Sequence, residues 1–247
     1  MTDSLALSVV IPVHDEEDSL DALHRELDAA LHSVRGGCEI VFVDDGSRDR
    51  SLALLREIER KDARVRVLAL DGCHGQSAAL AAGFQAARGS FIATLDADLQ
   101  NDPADLPRLL AELSHADVVN GVRAERRDDW VRRLSSRVAN AVRRAVVRDG
   151  VSDVGCSLRV MRADCLRRVR PFHGFHRFLP ALLQLEGARV VEVPVSHRPR
   201  RYGRSKYGIR NRLLPGLVDL FGVRWLQSRA LRVRVKEWPG GERPPEV

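Results

Sequence analysis

The chain has 247 residues, 44% of them apolar and 30% charged, which is typical of a soluble globular protein with a large core. Its four cysteines show neither a C-x-x-C pair nor metal-ligand spacing, so we expect reduced thiols of the kind found in cytosolic proteins. The net charge of +6 suits nucleic acid, anionic lipid or a phosphorylated small substrate, but an aromatic content of 5% argues against a surface that stacks single-stranded nucleic acid. No apolar run reaches the roughly 18 residues of a membrane span, and no signal peptide is predicted.

Strands and helices are predicted to alternate over the first 120 residues. The apolar spacing predicts strands at Leu5–Ile11, Glu39–Val43, Val65–Leu70, Phe91–Leu95 and from Asp117 onward. Helices are predicted between them at Asp18–Val34, Leu52–Lys61, Ser77–Arg88 and Pro103–Ser114. Short connections between alternating elements are typical of a doubly wound α/β sheet with parallel strands. Because ligands bind such sheets outside the carboxyl ends of the strands, we expect function in the loops that follow them.

The second half has a less regular pattern. It predicts strands at Val154–Met161 and Ala188–Val193, the latter ending at Pro194, and helices at Trp130–Val147, Ala163–Val169 and Phe175–Leu185. A basic loop is predicted at Pro199–Gly208, and a last helix at Leu213–Leu231 that is broken or entered at Pro215-Gly216. We therefore expect a catalytic domain over residues 1–210, an amphipathic helical segment over 211–236 and a disordered tail over 237–247.

The most informative motif is Asp96-Ala97-Asp98-Leu99-Gln100, which directly follows the predicted strand Phe91–Leu95. Two carboxylates this close repel each other, and a divalent cation relieves the repulsion. Mg²⁺ or Mn²⁺ takes one or two carboxylates and fills its other positions with water and phosphate oxygens. The motif therefore predicts a metal site that holds a phosphorylated donor, with a solvated strand-end loop as the alternative for so short a pattern.

Two further acidic loops follow the first two predicted strands: Pro12-Val13-His14-Asp15-Glu16-Glu17 and Asp44-Asp45-Gly46-Ser47. A carboxylate in the second loop can accept hydrogen bonds from a nucleobase edge or from ribose hydroxyls. Gly46 permits a tight turn, and Ser47 or Asp49 can cap the next helix. Taken alone, this loop is interpreted as a capped turn.

Four segments in order, IPVHDEE, VDDGSRD, GQSAALAAG and DADLQNDP, resemble those of the inverting glycosyltransferases of family 2. The later segments SDVGCSLRVMR, EVPVSHRPRRYGRSKYG and GLVDLFGVRWL are similar to the branch of dolichyl-phosphate mannosyltransferases and polyprenyl-phosphate glucosyltransferases. The resemblance covers roughly residues 5 to 232. It implies a nucleotide-sugar-binding, doubly wound α/β fold of the GT-A type, which is Rossmann-like.

The resemblance also implies residue roles. Asp98, Gln100 and Asp153 would be catalytic, and Asp96 and Asp98 would hold Mg²⁺ or Mn²⁺ on the donor diphosphate. The implied nucleotide-sugar contacts are Pro12, Asp15, Glu16, Asp44, Asp45, Gln76 and Asp96. The implied contacts to acceptor or donor phosphate are Arg123, Arg132, Ser136, Arg200, Arg201, Ser205 and Lys206, the last four in a basic loop that would close over the donor. The chain departs from the family pattern at His14, Asp15 and Cys73, where an aromatic residue, Asn and Asn are usual.

An alcohol acceptor needs a general base, whereas a lipid phosphate, with a second pKa of about 6, arrives as an anion. Such an acceptor needs Arg and Lys to hold it, and the second half supplies them. We therefore expect transfer of a hexose (mannose or glucose) from GDP-mannose or UDP-glucose to dolichyl or undecaprenyl phosphate. The alternatives are a soluble, protein-bound or polysaccharide hydroxyl acceptor, or a non-catalytic module that binds anionic lipid or nucleic acid.

The predicted last helix bears on the membrane. Asp219 and Arg224 interrupt its apolar run, which is too short to span a bilayer. It could lie at the headgroups with Trp225 at the interface, or pack on the sheet or on a partner. We expect a cytoplasmic protein attached peripherally to the membrane face. Because relatives often carry transmembrane helices after this point, a separate membrane protein is a candidate partner; nucleic acid is not.

Overall fold

The computed structural model describes residues 5–123, 141, 143–199 and 210–230, with side chains of the last segment from residue 216. A seven-stranded sheet forms the centre of this part of the chain, in the order β3-β2-β1-β4-β6-β5-β7. The strands are β1 (Leu7–Val13), β2 (Cys38–Asp44), β3 (Val65–Ala69), β4 (Phe91–Thr94), β5 (Val118–Arg123), β6 (Arg159–Arg162) and β7 (Val190–Val195). The predicted α/β fold is confirmed.

Helices connect the strands and cover both faces of the sheet. They are α1 (Leu20–Leu31), α2 (Ser51–Lys61), α3 (Gln76–Ala86), α4 (Leu106–Glu112), α5 (Ala163–Leu166), α6 (Leu179–Leu185) and α7 (Arg210–Arg229). Short 3₁₀ turns at Pro103–Asp105 and Phe175–Arg177 precede α4 and α6, and residues 143–147 are also helical. The first half of the chain therefore folds largely as its apolar periodicity predicts.

The sheet is mixed, which the predicted all-parallel arrangement does not anticipate. The strands from β3 to β4 are parallel, but β6 runs antiparallel to both of its neighbours, β4 and β5. The predicted strand Val154–Met161 is also wrong in extent, because only Arg159–Arg162 pairs and residues 154–158 form turns and loop. Pro194 does not end its strand: β7 continues to Val195. Proline is tolerated in β7 because this strand lies at the edge of the sheet.

The core has two layers. One packs α1, α2 and α4 against one face of the sheet, and the other packs α3, α6 and α7 against the opposite face. Helix α7 joins the second layer through Leu220 and Val223, and it runs without interruption across Pro215 and Gly216. None of the helices in the described part of the chain has an apolar stretch that could span a bilayer. The predicted disordered tail lies outside the described residues, as does most of the predicted helix Trp130–Val147.

Candidate functional site

The carboxyl ends of β1 and β2 bring the two acidic loops into direct contact. The backbone N–H of Asp15 donates to Ser47 Oγ at 3.0 Å, and the N–H of Arg48 donates to Asp15 Oδ1 at 2.6 Å. The N–H of Glu16 donates to Ser51 Oγ at 2.8 Å. Asp15 adopts φ 49°, a left-handed conformation that Asp tolerates better than most residues. The predicted nucleotide-contact residues Asp15 and Glu16 are thus fixed against the second loop.

The two adjacent acids of the second loop have different surroundings. Asp45 accepts the N–H groups of His74 (2.7 Å) and Gly75 (2.8 Å), so its carboxylate holds the loop that leads into α3. Asp44 is buried, and its Oδ2 accepts the N–H of Ser47 at 3.2 Å. Among the described residues, Asp44 Oδ1 has no hydrogen-bond partner. A buried carboxylate oxygen without a partner is costly, which suits one that accepts from a ligand.

Gly46 explains how closely these loops approach. A Cβ at this position would lie 2.6 Å from the carbonyl carbon of Gly72, and its φ is +65°. Only glycine satisfies both conditions without moving the backbone. The predicted tight turn is confirmed, and it packs the second loop onto the loop before α3.

The Asp96–Gln100 motif lies at the end of β4, next to the start of α3. The side-chain amide of Gln76 donates to Asp96 Oδ1 at 2.8 Å, and the N–H of Gln100 donates to Asp98 Oδ1 at 3.1 Å. Leu99 between them has φ 60°, unusual for a bulky residue, while its side chain is buried in the core. Burial of Leu99 therefore fixes the turn that carries Asp98 and Gln100.

Asp96 and Asp98 fit a hard divalent cation. Asp98 is 5% exposed and Asp96 is half-buried. Two carboxylates only two positions apart in the chain are therefore partly or wholly shielded from water. One oxygen of each is oriented by an amide donor, as in many metal sites. Among the residues that the structure describes, no third carboxylate, imidazole or thiol joins them in a compact group. Mg²⁺ and Mn²⁺ commonly accept such incomplete ligand sets, because substrate oxygens complete them.

Asp153 forms a buried ion pair with Arg123. The guanidinium Nε and Nη2 of Arg123 donate to the two carboxylate oxygens of Asp153, both at 2.8 Å, and Asp153 is 2% exposed. Such a bidentate pair orients the arginine and occupies the carboxylate. The structure thus brings together two residues with different predicted roles, Asp153 as a catalytic residue and Arg123 as a phosphate contact.

Arg159, in the segment SDVGCSLRVMR, has no predicted role. It is buried and donates to three neutral oxygens: Asn120 Oδ1 (2.8 Å) and the carbonyl oxygens of His176 (2.9 Å) and Val154 (2.8 Å). Burial lowers the pKa of its guanidinium, and nearby negative groups including Asp96 and Asp153 oppose that shift. Since Arg remains protonated in proteins, Arg159 is a fixed positive charge beneath the site.

Two other supporting residues also had no predicted role. Ser157 Oγ accepts from the N–H of Asp96 (3.1 Å) and from the Asn101 amide (2.7 Å). The N–H of Arg198 donates to the carbonyl oxygen of Gln100 at 2.8 Å. The chain that enters the predicted basic loop is therefore attached to the Asp96–Gln100 turn. The sequence alone does not indicate these roles of Ser157 and Arg198, because their partners lie far away in the chain.

Not every predicted site residue can be placed. Pro12 lies in β1 and Gln76 begins α3, so both are at this edge of the sheet. Six predicted phosphate contacts lie outside the described residues: Arg132, Ser136, Arg200, Arg201, Ser205 and Lys206.

The family model for glycosyl transferase family 2 matches residues 8–170, a span that contains every acidic loop described above. The chain belongs to glycosyl transferase family 2. The match confirms the family that the sequence motifs predict.

Two curated relatives of this family 2 chain carry polyprenyl phosphates in their names. It is 42% identical over 216 residues to the undecaprenyl-phosphate 4-deoxy-4-formamido-L-arabinose transferase of Edwardsiella ictaluri, covering 87% of this chain and 66% of that protein. It is 37% identical over 243 residues to the dodecaprenyl-phosphate galacturonate synthase of Rhizobium johnstonii, covering 96% of this chain and 70% of that protein. The chain thus spans about two thirds of the length of these relatives.

Solved structures share the fold at low identity. Glucosyl-3-phosphoglycerate synthase from Mycobacterium tuberculosis, in complex with Mn²⁺, uridine diphosphate and phosphoglyceric acid, gives a TM-score of 0.66 at 17% identity, covering 92% of this chain and 80% of that one. S. aureus TarS in complex with UDP-GlcNAc gives a TM-score of 0.64 at 18% identity, and the match covers 90% of this chain and 67% of that one. Both similarities support the GT-A type fold of this family 2 chain.

Proposed function

We propose that this chain transfers a sugar from a nucleoside-diphosphate donor to a polyprenyl phosphate. The observation that carries the proposal is the pair Asp96 and Asp98, buried or half-buried at the carboxyl edge of the sheet and oriented by amide donors. Family membership and the relatives named for undecaprenyl and dodecaprenyl phosphate support the donor and acceptor classes.

Each part of the site has one task in this proposal. Asp44, with its buried Oδ1, and the fixed residues Asp15 and Glu16 bind the nucleoside. Asp96 and Asp98 hold the cation, which as a Lewis acid stabilises the charge that develops on the departing diphosphate. Solved neighbours named with Mn²⁺ or Mg²⁺ and uridine diphosphate support a divalent ion, either Mg²⁺ or Mn²⁺.

The Arg123–Asp153 pair favours a phosphate acceptor. Asp153 engages both of its oxygens with Arg123, which suits a positioning role better than that of a proton acceptor. Arg123 would then present positive charge to an acceptor phosphate that is already anionic. Arg132, Ser136 and the basic loop with Arg200, Arg201, Ser205 and Lys206 remain proposed phosphate contacts. Gln100 is proposed to act beside the cation.

The donor sugar is proposed only as a class. The two relatives are named for a formamido-arabinose and for galacturonate, so their names do not support the expected mannose or glucose. Nor do these names support GDP-mannose as the donor. Structural neighbours solved with UDP-GlcNAc or UDP favour a uridine nucleotide. Transfer to a soluble, protein-bound or polysaccharide hydroxyl is the competing function.

We also propose that the chain works at the cytoplasmic membrane surface. Helix α7 exposes Leu217, Val218, Phe221, Trp225 and Leu226 on the side away from Leu220 and Val223. An exposed apolar strip of this kind suits the headgroup region of a bilayer that contains the acceptor lipid. A separate membrane protein remains a proposed partner.

Product extraction tests the function. The protein is incubated with Mn²⁺, undecaprenyl phosphate and, in parallel, radiolabelled UDP-galacturonate, UDP-glucose or GDP-mannose as donor. The proposal expects label in the organic phase with at least one donor, and none when the polyprenyl phosphate or the metal is left out. Label found only on water-soluble acceptors would support the competing function instead.

A further inference from the structure

Three ligand-type side chains from separate segments meet beside the nucleoside loops. His14 follows β1, Asp45 follows β2 and Cys73 lies in the loop before α3. One potential ligand atom from each lies within 4.8 Å of the others, and this is the one group of three or more such residues among those that the structure describes. Linear spacing gives no hint of the group, because its members are 31 and 28 residues apart.

The surroundings of His14 and Asp45 orient both for metal binding. The Nδ1 of His14 donates to the backbone oxygen of Asp45 at 2.8 Å, which assigns the lone pair of a neutral ring to Nε2, and Nε2 lies 3.4 Å from Asp15 Oδ2. The Asp45 carboxylate is held by the N–H groups of His74 and Gly75, yet each carboxylate oxygen has a second lone pair. Hydrogen bonds of these two kinds are common in the outer shell of metal sites, where they fix tautomer and direction.

Cys73 is the thiol of the chain most able to react. It is exposed, with its Sγ 3.8 Å from Asp45 Oδ2, whereas Cys38, Cys156 and Cys165 are buried. Burial raises the pKa of the Cys156 thiol to about 11 and raises the pKa of Cys38. Metal ligation needs the thiolate, so the ion binds as the Cys73 proton leaves to solvent.

We propose that His14, Asp45 and Cys73 form a second cation site, selective for a borderline-soft ion such as Zn²⁺. Nitrogen, oxygen and sulfur ligands suit Zn²⁺, while the oxygen-only pair Asp96 and Asp98 suits Mg²⁺ or Mn²⁺. Three protein ligands leave a fourth position for water. Ligand distances of about 2.0–2.3 Å require the group to contract, which the exposed Cys73 side chain allows.

This site has a consequence that rests on the proposed function. The loop that Asp45 holds continues through Gly75 to Gln76, whose amide orients Asp96. A zinc ion on Asp45 would fix this loop and occupy the edge where the nucleoside binds. We therefore expect bound Zn²⁺ to weaken donor binding.

Cobalt and zinc titrations test the site without any turnover. Co²⁺ bound to a thiolate absorbs in the near ultraviolet, and Zn²⁺ displaces it. Wild type is compared with the Cys73→Ser and His14→Gln variants, with folding checked by thermal melting. We expect the absorption band in wild type, its loss in Cys73→Ser, and Zn²⁺ binding weakened at least about tenfold in both variants. Absence of the band in wild type, or its survival in Cys73→Ser, would overturn the proposal.

Two matched variants sharpen the result. His74 is exposed, pairs with Asp71 at 2.7 Å and is the neighbour of Cys73, so His74→Asn must leave the band and the zinc affinity unchanged. Loss of binding in His74→Asn would assign the ion to another ligand set and contradict the site proposed here. Asp98→Asn must also keep the band, because it alters only the other metal site. Since both readouts need no donor, failure of the transferase proposal would leave them intact.

Discussion

Asp98 is the residue on which the donor-site proposal depends most. Its substitution by Asn keeps the oxygen that accepts from the N–H of Gln100 but removes the charge that we propose holds the cation. We expect Asp98→Asn to retain its melting temperature within about 2 °C and to lose transfer activity by roughly 10³-fold, the scale of a lost electrostatic catalytic group. Asp164→Asn, which alters an exposed acid paired with Arg167, serves as the matched control and should leave activity unchanged.

The Arg123–Asp153 pair allows two roles for Asp153 to be separated. If Asp153 positions Arg123, then Arg123→Gln and Asp153→Asn should each raise the KM for polyprenyl phosphate by about tenfold. The double variant should be little worse than either single variant, because residues that act as one unit are non-additive. Steady-state kinetics measures all three. A fall in kcat for Asp153→Asn with an unchanged acceptor KM would instead identify Asp153 as a general base.

At the scale of elements, the amino end of the sheet contains a buried acid that makes stability depend on pH. Glu39 on β2 lies opposite Ser8 on β1 and accepts from Ser8 Oγ (2.6 Å), Arg66 Nη1 (2.7 Å) and the N–H of Arg88 (2.7 Å). Burial by itself would raise the pKa of Glu39, but these hydrogen bonds outweigh it and the pKa is lowered.

A lowered pKa in the folded state means that ionised Glu39 stabilises the fold above its ordinary pKa of 4.5, and that this contribution is lost as the pH falls through the folded value. Glu39→Gln should therefore lower the free energy of unfolding at pH 7 by about 1–3 kcal/mol. Urea unfolding at several pH values should show the difference narrowing below pH 4. Glu57→Gln, on the exposed side of α2, is the control, and a difference independent of pH would refute the assignment.

Helix α3 packs closely enough on the sheet to exclude a methyl group. A Cβ at Gly83 would lie 2.3 Å from Val10 Cγ1 on β1, whereas a Cβ at Gly222 in α7 would meet nothing within 4 Å. Gly83→Ala should destabilise the fold by about 1–3 kcal/mol. Gly222→Ala should stabilise it by up to about 1 kcal/mol through helix propensity. Thermal melting of both variants checks the contrast, and equal shifts would contradict the packing.

The sequence predicted the strands and helices from β1 to β5 well, because buried parallel strands and amphipathic helices such as α1 have strong apolar periodicity. The direction of β6 could not be predicted, since apolar content does not encode orientation. Apolar content also did not show the extent of the strand predicted at Val154–Met161, because only the end of this segment pairs with neighbouring strands.

Only part of the candidate site could be predicted from the sequence. Carboxylates that follow strands, such as Asp96 and Asp98, could be located from the sequence because all such loops meet at one edge. The residues that support these carboxylates could not be located from the sequence, because Ser157 and Arg159 act through contacts with distant segments. The group of His14, Asp45 and Cys73 was missed for the same reason.

At the scale of the whole molecule, α7 is the element that we propose to contact a bilayer. Phe221 and Trp225 are 63% and 60% exposed, and the helix is anchored to the core by Leu220 and Val223. The double variant Phe221→Ser and Trp225→Ser should keep its fold and lose about tenfold or more in affinity for vesicles that contain phosphatidylglycerol. Cosedimentation measures the affinity, and Glu57→Ser is the control. Equal binding of the double variant and wild type would place the membrane contact elsewhere.

The central claim is that Asp96 and Asp98 hold a cation on the donor diphosphate, and calorimetry of nucleoside-diphosphate binding tests it most directly. Wild type and Asp98→Asn are titrated with UDP and with GDP, in the presence and absence of Mn²⁺. We expect wild type to bind one of the nucleotides at least about tenfold more tightly with Mn²⁺, and we expect Asp98→Asn to lose that gain while remaining folded. Binding that is indifferent to Mn²⁺, or a gain that survives in Asp98→Asn, would contradict it.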